Sequence, residues 1–283
     1  MPPAELNRFD PYLQTWNRLA AYRAIGHPTD KIELIVLGGT WSFHPEPYQR
    51  WYVMRLFEAL NDFGAGVDRR ATAAEGALDF ERLPARLDGR DHASTPYNQI
   101  VGAFLREQGG GSQPNSAASS ATSSNSWEAL ERAQRRNETA ASRCVGLVVE
   151  TRPDHVSLAE VERMRRLGAT KVQLGIQSLD DDVLAANRRG HDVAATHRAV
   201  RLLRGAGFKL HAHWMPNLLG ASPASDRAEV ARLFDEPDFR PDELKVYPCS
   251  LVESAELVQH WERGEWRPYE HEELLEVTVE ALA

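Results

Sequence analysis

Each of five short apolar runs in the sequence contains near its end, or is followed by, polar or glycine residues that could take part in chemistry. Glycines leave backbone N–H and C=O groups open to a ligand, neutral amide and hydroxyl groups suit a ribose or purine edge, and imidazoles can transfer protons. In parallel α/β barrels such residues gather where the strands end and the loops to the helices converge. In chain order they are Gly38, Gly39 and Thr40; Glu150, Arg152 and Asp154; Gln177 and Ser178; His211 and His213; and Lys245 and Tyr247.

Each of these groups, taken alone, also has an ordinary structural interpretation. Two glycines after a strand are typical of a tight turn, a charged trio is typical of a salt-bridge cluster, and Gln177 with Ser178 is typical of a helix cap. Residues 211 and 213 share one face of a strand, but a zinc site needs further ligands and none is obviously placed to join them. The expectation of a functional site therefore depends on the recurrence of such groups at five successive strand ends.

The elements that must position these residues are strands that alternate with helices. Alternation at this spacing predicts an α/β fold with parallel strand pairing and right-handed crossovers. The chain opens on a predicted helix, Pro11 to Ile25, so we expect the first strand of the fold to be missing. The predicted strands cover residues 32–37, 145–149, 172–176, 208–213 and 244–247.

Bulk composition limits the classes of function. The 283 residues are 42% apolar and carry a formal charge of -8, so the chain can bury a large core and is not built for non-specific binding to phosphate backbones. The two cysteines, Cys144 and Cys249, are far apart and form no disulfide framework. No signal peptide and no bilayer-spanning apolar stretch is visible, so we expect a soluble, cytoplasmic protein without a membrane partner.

One part of the chain lacks the strand–helix pattern. Residues 64–126 show little periodicity, and residues 109–126 (GGGSQPNSAASSATSSNS) are of low complexity. Such a composition buries too little apolar surface to offset the entropy of ordering, which predicts a largely disordered insertion. The alternative is a binding loop that becomes ordered on a partner. The expected barrel then consists of residues 1–63 and 127–283.

Eight motifs are distinctive by their content and their order. They are RFDPYLQ from Arg8, GHPTDK from Gly26, RRNET from Arg135, ETRPD from Glu150, GIQSLDDDVL from Gly175, NRRGH from Asn187, HAHWMPNLLG from His211 and PDFRPDELKVYP from Pro237. Together they resemble the elongator complex protein 3 family, which comprises the catalytic subunit of Elongator and its bacterial and archaeal single-chain relatives. The resemblance covers nearly the whole chain outside the insertion.

This resemblance implies a fold, a reaction and cofactors. The fold is a partial TIM-type (β/α)6 radical-SAM barrel whose first strand is missing. The reaction is C5 carboxymethylation of the wobble uridine (U34) of tRNA, with acetyl-CoA as the donor. In this family a 4Fe-4S cluster held by three cysteines binds S-adenosylmethionine and cleaves it to a radical. The resemblance thus implies a radical-SAM acyltransferase of tRNA processing whose partners are tRNA and acetyl-CoA.

The resemblance also implies roles for individual residues. Lys31 matches a lysine that contacts acetyl-CoA. The turn of Gly38, Gly39 and Thr40 is similar to the one that receives the methionine amino group of S-adenosylmethionine. Contacts to ribose and carboxylate are expected at Glu150, Arg152, Gln177 and Ser178. The residues expected to line the acetyl and uracil side of the cavity, as catalytic residues, are His213, Lys245 and Tyr247.

The sequence departs from the family pattern, because it has neither the three clustered cysteines nor the C-terminal acetyltransferase-like domain, and it has Ser254-Ala255 where relatives often have Gly-Thr. We therefore expect a truncated copy with no metal ligands, inactive by itself unless an N-terminal segment, an acetyltransferase-like domain or a second copy completes it. The alternative is a non-catalytic module or partner subunit that binds tRNA or acetyl-CoA. The candidate basic patches for tRNA are Arg132, Arg135, Arg136 and Arg143, and then Arg163, Arg165 and Arg166.

Overall fold

The computed structural model of the chain describes residues 6–37, 39–75, 125–253 and 255–282. The strands are β1 (Lys31–Ile35), β2 (Arg143–Thr151), β3 (Lys171–Gln177), β4 (Lys209–Trp214) and β5 (Glu243–Val246). The helices are α1 (Pro11–Ala24), α2 (Glu46–Gly64), α3 (Arg70–Glu75), α4 (Trp127–Asn137), α5 (Leu158–Leu167), α6 (Asp181–Ala186), α7 (Val193–Gly205), α8 (Pro223–Asp235), α9 (Leu257–Glu262) and α10 (His271–Leu282). Short 3-10 turns lie at Trp41–Phe43 and Pro153–His155.

The strands form one sheet in the order β1-β2-β3-β4-β5. From β2 onward each strand pairs in parallel with the next, so that Thr151 lies opposite Leu174, Leu174 opposite Ala212, and Ala212 opposite Leu244. At the β1 end, the backbone N–H of Val36 donates to the carbonyl of Val148 at 2.9 Å. Five parallel strands with their helices form the partial α/β barrel that the sequence predicted.

The chain divides into two compact units, of which the first comprises Met1–Leu34 and Phe43–Gly146. Its core lies between α1 and α2, where Leu19, Leu60 and Phe63 are buried together. The buried Asp10 begins α1, because its carboxylate accepts the N–H of Leu13 at 3.1 Å. The same carboxylate pairs with Arg55 at 3.1 Å, which ties the start of α1 to α2.

The second unit comprises Ile35–Ser42 and Leu147–Ala283 and contains the carboxyl ends of the strands. Alternate residues of its strands, such as Val149, Val172 and Leu210, are buried in an apolar core. On the same side of the sheet, Trp214 packs with Val230 of α8 and Val277 of α10. Because side chains alternate along a strand, this packing leaves the other alternate positions free to carry polar groups.

The predicted insertion and the expected absence of a membrane-spanning helix can be compared with the structure only over the residues that it describes. The expected insertion at 64–126 falls mostly outside the described residues, and its first part, 64–75, includes the short helix α3. In the ranges that are described, no helix combines the length and the apolar character needed to cross a bilayer.

A buried carboxylate joins α8 to the segment before α10. Asp226 is 2% exposed, and its Oδ2 accepts the hydroxyl of Tyr269 at 2.7 Å and the N–H of Asn217 at 2.8 Å. Burial is the main cause that raises the pKa of Asp226 to about 6, with a smaller contribution from the charge of Glu229 and opposition from the two hydrogen bonds. The carboxyl therefore holds its proton more tightly in the folded chain than in the unfolded chain.

This raised pKa predicts a specific pH dependence of stability. The contribution of Asp226 is full below the unfolded pKa of about 4 and is lost as the pH rises through the folded value, by up to about 3 kcal/mol. We expect the free energy of unfolding, measured with urea between about pH 5 and pH 8, to fall less in Asp226→Asn than in the wild type. The exposed Asp235→Asn at the end of α8 is the control and should follow the wild type. An equal fall in Asp226→Asn and wild type would contradict the assignment.

Candidate functional site

The register of the parallel strands places a set of polar side chains on the face of the sheet opposite the apolar core. Because β2, β3, β4 and β5 are in register, polar residues from all four strands become neighbours. These residues, hereafter the polar row, are Glu150, Gln173, His211 and Glu243, which lie opposite one another in turn, and His213 and Lys245, the next facing pair along β4 and β5.

His213 lies at the centre of the polar row and is 7% exposed. Its Nδ1 lies 3.7 Å from Oε1 of Glu150, and its ring meets those of His211 and Tyr247 edge-on at centroid distances of 5.5 and 6.1 Å. Burial, and then the charges of Lys245 and His211, lower the pKa of His213 to about 4. The imidazole is therefore neutral near pH 7. Its buried Nε2 has no hydrogen-bond partner within the described structure, so its bonding capacity is unused.

Glu150 and Lys245 bring opposite charges to the two sides of this imidazole. Burial raises the pKa of Glu150, and the positive charge of Lys245 opposes that rise. Nζ of Lys245 lies 3.5 Å from Oε1 of Gln173 and 5.7 Å from the ring centroid of Tyr247. Tyr247 follows β5 and is 52% exposed. The structure thus brings together the three residues that the sequence led us to expect on the acetyl and uracil side.

Two members of the polar row, Gln173 and Glu243, were not expected from the sequence. Glu243 bridges Lys171 and His211, at 2.6 Å to Nζ of Lys171 and 3.2 Å to Nδ1 of His211. The Nε2 atom of Gln173 lies 3.5 Å from the same Nδ1. The signal that could have found Gln173 is the alternation of polar and apolar residues at the start of β3 (KVQL), which puts residue 173 on the face opposite Val172 and Leu174.

The end of β3 has an irregular backbone that turns Gln177 away from the regular ladder. The β3–β4 register shifts between Leu174 and Gln177, and Gln177 has a φ of +65°, which is left-handed and uncommon for a residue with a side chain. Gln177 is 8% exposed, and its Oε1 has no hydrogen-bond partner in the described part of the chain. Ser178 is different, because its hydroxyl donates to Oε1 of Glu229 at 2.5 Å. The bonding capacity of the Gln177 amide oxygen is therefore unused, whereas the hydroxyl of Ser178 is engaged within the fold.

A pair of arginines lies beside Gln177. Arg152 is bound through two hydrogen bonds to Asp154, at 3.0 and 2.8 Å. Arg189 is half-buried, and its Nε has no partner among the described residues. Burial is the main cause that lowers the pKa of Arg189, and the charge of Arg152 adds to it. Arg189 is therefore the arginine of this pair whose guanidinium has unused bonding capacity, although the resemblance pointed to Arg152.

Two glycines leave space for side chains around the end of β3: Gly190 for the guanidinium of Arg152, and Gly175 for the amide of Gln177. A Cβ added at Gly190 would meet the guanidinium of Arg152 at less than contact distance. A Cβ added at Gly175 would lie 3.1 Å from Nε2 of Gln177 and 3.8 Å from the guanidinium of Arg189. The glycine of NRRGH and that of GIQS thus both serve the packing around the end of β3.

The end of β1 supplies a more open part of the site. Gly39 has a φ of +102° and no atom within 4 Å of an added Cβ, so its backbone is accessible. Thr40 follows and is half-buried, and Gly38 lies outside the described residues. The hydroxyls of Ser42 and Thr151 hydrogen bond at 2.8 Å, which holds this turn beside the end of β2. Lys31 is not brought into the group, because it begins β1 and lies at the opposite end of that strand.

This arrangement suits a ligand that has both a charged and a neutral polar part. Arg189 offers a cation to an anionic group, while His213 and Gln177 offer uncharged polar atoms whose bonding capacity is unused. In the part of the chain that the structure describes, no set of three or more His, Cys, Asp or Glu side chains is placed to hold a metal ion.

Comparison with known proteins identifies a matching family and several relatives. Residues 120–232 match the family described as Radical SAM superfamily. The tRNA uridine(34) acetyltransferase of Methanocaldococcus infernus is 36% identical over 269 residues, which are 95% of this chain and 39% of that protein. Elongator complex protein 3 of Bos taurus is 29% identical over 98% of this chain and 39% of its own length.

The solved structures include a similar fold. The archaeal Methanocaldococcus infernus Elp3 with an N-terminal deletion matches 99% of this chain and 51% of that chain, with a TM-score of 0.72 and 36% identity. The chain thus spans about two fifths of the length of the curated relatives that it matches.

The neutral state of His213 can be tested directly. We expect the imidazole signals of His213, followed by ¹H–¹⁵N NMR, to show no titration between about pH 5 and pH 8, because burial and Lys245 disfavour its charged form. Lys245→Met removes the larger of the two charge repulsions and should raise the pKa of His213 by about half a unit to one unit. Lys209→Met, at the opposite end of β4, is the matched control and should leave it unchanged. A wild-type His213 that titrates near its ordinary pKa would show that the imidazole is not held neutral.

Proposed function

Because the chain belongs to the elongator complex protein 3 family of radical SAM proteins, we propose that it takes part in modifying the wobble uridine of tRNA. The observation that carries the proposal is the polar row, in which His213 and Lys245 lie toward the carboxyl ends of β4 and β5, together with Gln177 and Arg189 after β3. It is found in a chain 36% identical to a tRNA uridine(34) acetyltransferase. The product is carboxymethylated at C5 of the base, with acetyl-CoA as donor and S-adenosylmethionine as radical source. The reaction is placed in the cytoplasm, where tRNA is available.

Residue roles in this proposal follow the geometry. Gly39, Thr40, Glu150 and Gln177 face S-adenosylmethionine, and Arg189 takes its carboxylate, since Arg152 is engaged by Asp154. Open backbone at Gly39 and unused atoms on Gln177 and Arg189 support the fit of this cofactor. On the acetyl and uracil side of the cavity, His213 contacts the polar edge of the uracil base, and Lys245 and Tyr247 lie beside His213. Lys31 contacts acetyl-CoA at a separate place.

The iron–sulfur cluster does not fit the residues of this chain. A 4Fe-4S cube bound by three thiolates needs clustered cysteines, and the 283 residues contain only Cys144 and Cys249. Burial raises the pKa of Cys144 to about 11 and also raises that of Cys249, so both remain thiols near pH 7. We therefore assign no step to the cluster here. The absence of its ligands from these residues favours a second candidate function, a non-catalytic module that binds tRNA or acetyl-CoA.

Because its residues do not fit a 4Fe-4S cluster, we expect this chain by itself to be inactive in radical chemistry. Anaerobic reconstitution with iron and sulfide should give neither the broad cluster absorbance nor cleavage of S-adenosylmethionine, because two separated thiols cannot replace three clustered thiolates. A double variant, Cys144→Ser with Cys249→Ser, is the control and should bind the same small amount of iron as the wild type. Stable cluster absorbance in the wild type that this variant loses would refute the prediction.

Recognition of the base is tested with two anticodon stem-loop RNAs that differ only in uridine or cytidine at the wobble position. We expect the wild type to bind the uridine RNA about tenfold more tightly, because a buried neutral imidazole contacts the base edge. His213→Ala should bind both RNAs equally. Fluorescence anisotropy at several salt concentrations measures the affinities.

A matched variant separates contacts to the base from contacts to phosphate. Arg135 is exposed, whereas Arg136 is already paired with Asp62 at 3.2 Å. The double variant Arg135→Ala/Arg136→Ala should weaken binding of both RNAs alike and reduce the salt slope by about 1 or 2, because it removes phosphate contacts. Equal binding of the two RNAs by the wild type would favour the non-catalytic module over the modifying enzyme.

A further inference from the structure

We infer that Glu229, on α8 and outside the polar row, is a positioning residue that fixes the ends of β3 and β4 and thereby sets Gln177 and His213. The importance of these two residues for a ligand rests on the proposed function. The positioning itself can be measured on the chain without any ligand. It concerns a residue that lies on the apolar side of the sheet.

Both carboxylate oxygens of Glu229 are used, and they reach two different strands. Glu229 is 6% exposed. Its Oε1 accepts the hydroxyl of Ser178 at 2.5 Å, and its Oε2 accepts the indole N–H of Trp214 at 2.9 Å. Hydrogen bonds to an ionised carboxylate are short and about twice as strong as neutral ones. One buried side chain thus joins the end of β3 to the end of β4.

On β3, the bond between Glu229 and Ser178 lies next to Gln177, whose backbone conformation is uncommon. Gln177 has a φ of +65°, and a residue with a side chain stays in that region only where its surroundings hold it. The register shift between Leu174 and Gln177 interrupts the regular ladder there. The bonds at this point are those from the N–H of Met215 to the carbonyl of Gln177 at 2.9 Å and from the N–H of Ser178 to the carbonyl of Ile176 at 2.8 Å. Nε2 of His191 lies 3.1 Å from the carbonyl of Ile176, and the bond from the hydroxyl of Ser178 to Glu229 joins this strand end to α8.

Ser178 also links Glu229 to the start of the next helix, α6. Its Oγ accepts the N–H of Asp180 at 3.1 Å while it donates to Glu229. Asp180 in turn begins α6, since its carboxylate accepts the N–H groups of Asp182 and Val183. The hydroxyl of Ser178 is therefore fixed in both directions, and the backbone of Gln177 is held immediately before it.

On β4, Glu229 acts through Trp214, the neighbour of His213. Trp214 is 1% exposed, and its ring packs with Val230 and Val277. Its carbonyl accepts the N–H of Tyr247 at 2.9 Å. Because adjacent residues of a strand point to opposite faces, an indole held on the apolar side fixes the direction of His213 on the polar side.

Hydrogen–deuterium exchange measured by mass spectrometry tests this inference on the full chain. We expect Glu229→Ala to speed amide exchange in residues 176–179 and 213–216 by about tenfold, while exchange in α5 stays at the wild-type rate. Glu229→Gln should stay within about threefold of the wild type, since its amide still accepts from Trp214 and can donate to Ser178. Asp235→Ala, an exposed carboxylate on the same helix, is the matched control.

A spectroscopic readout separates positioning from general stability. Glu229→Ala should shift or broaden the imidazole NMR signals of His213, and Glu229→Gln should restore them. Ser178→Ala should reproduce the faster exchange at residues 176–179 alone, and adding it to Glu229→Ala should have no further effect there. If Glu229→Ala does not fold, Glu229→Gln and Ser178→Ala decide the matter.

The inference is overturned if exchange at both strand ends is unchanged, or if it rises equally throughout the chain with the His213 signals unaltered. A failure of the proposed function has a different signature. In that case the two stem-loop RNAs bind equally to the wild type, while the exchange and NMR results at Gln177 and His213 stand.

Discussion

The alternation of side chains along a β-strand is the constraint on which the second unit depends. Leu174 and Ala212 are buried on one face of the sheet, so their neighbours Gln173 and His211 must point to the other. A register slip of one residue would put the polar row into the apolar core and expose the apolar set. The free energy of burying that set therefore also keeps a group of ionisable side chains together.

The two faces of the sheet are connected through buried carboxylates. Asp226 and Glu229 lie one turn apart on α8, on the apolar side, and bind groups that come from loops and strand ends. An unpaired buried carboxylate is costly, so such groups persist only where hydrogen bonds satisfy them. Here those bonds come from Tyr269, Asn217, Ser178 and Trp214. The polar bonds behind the sheet thus support the polar surface in front of it.

Much of the fold and part of the site could be predicted from the sequence, because both follow from short periods. Strand positions came from apolar runs, and the meeting of His213 with Lys245 came from parallel pairing of neighbouring strands. The contribution of Arg189 could not be predicted in this way, because it lies on a loop whose path depends on tertiary packing. The engagement of Ser178 is set by Glu229, which is 51 positions away. The left-handed turn at Gln177 depends on the register shift between β3 and β4, which no local sequence pattern predicts.

Gly190 and Gly175 act through the volume that they leave empty. The guanidinium of Arg152 occupies the place where a side chain at position 190 would begin, and the amide of Gln177 comes close to the same point above Gly175. A side chain at position 190 would displace the flexible end of Arg152 from its place beside Asp154, and a side chain at position 175 would push the amide of Gln177 aside by a few tenths of an ångström.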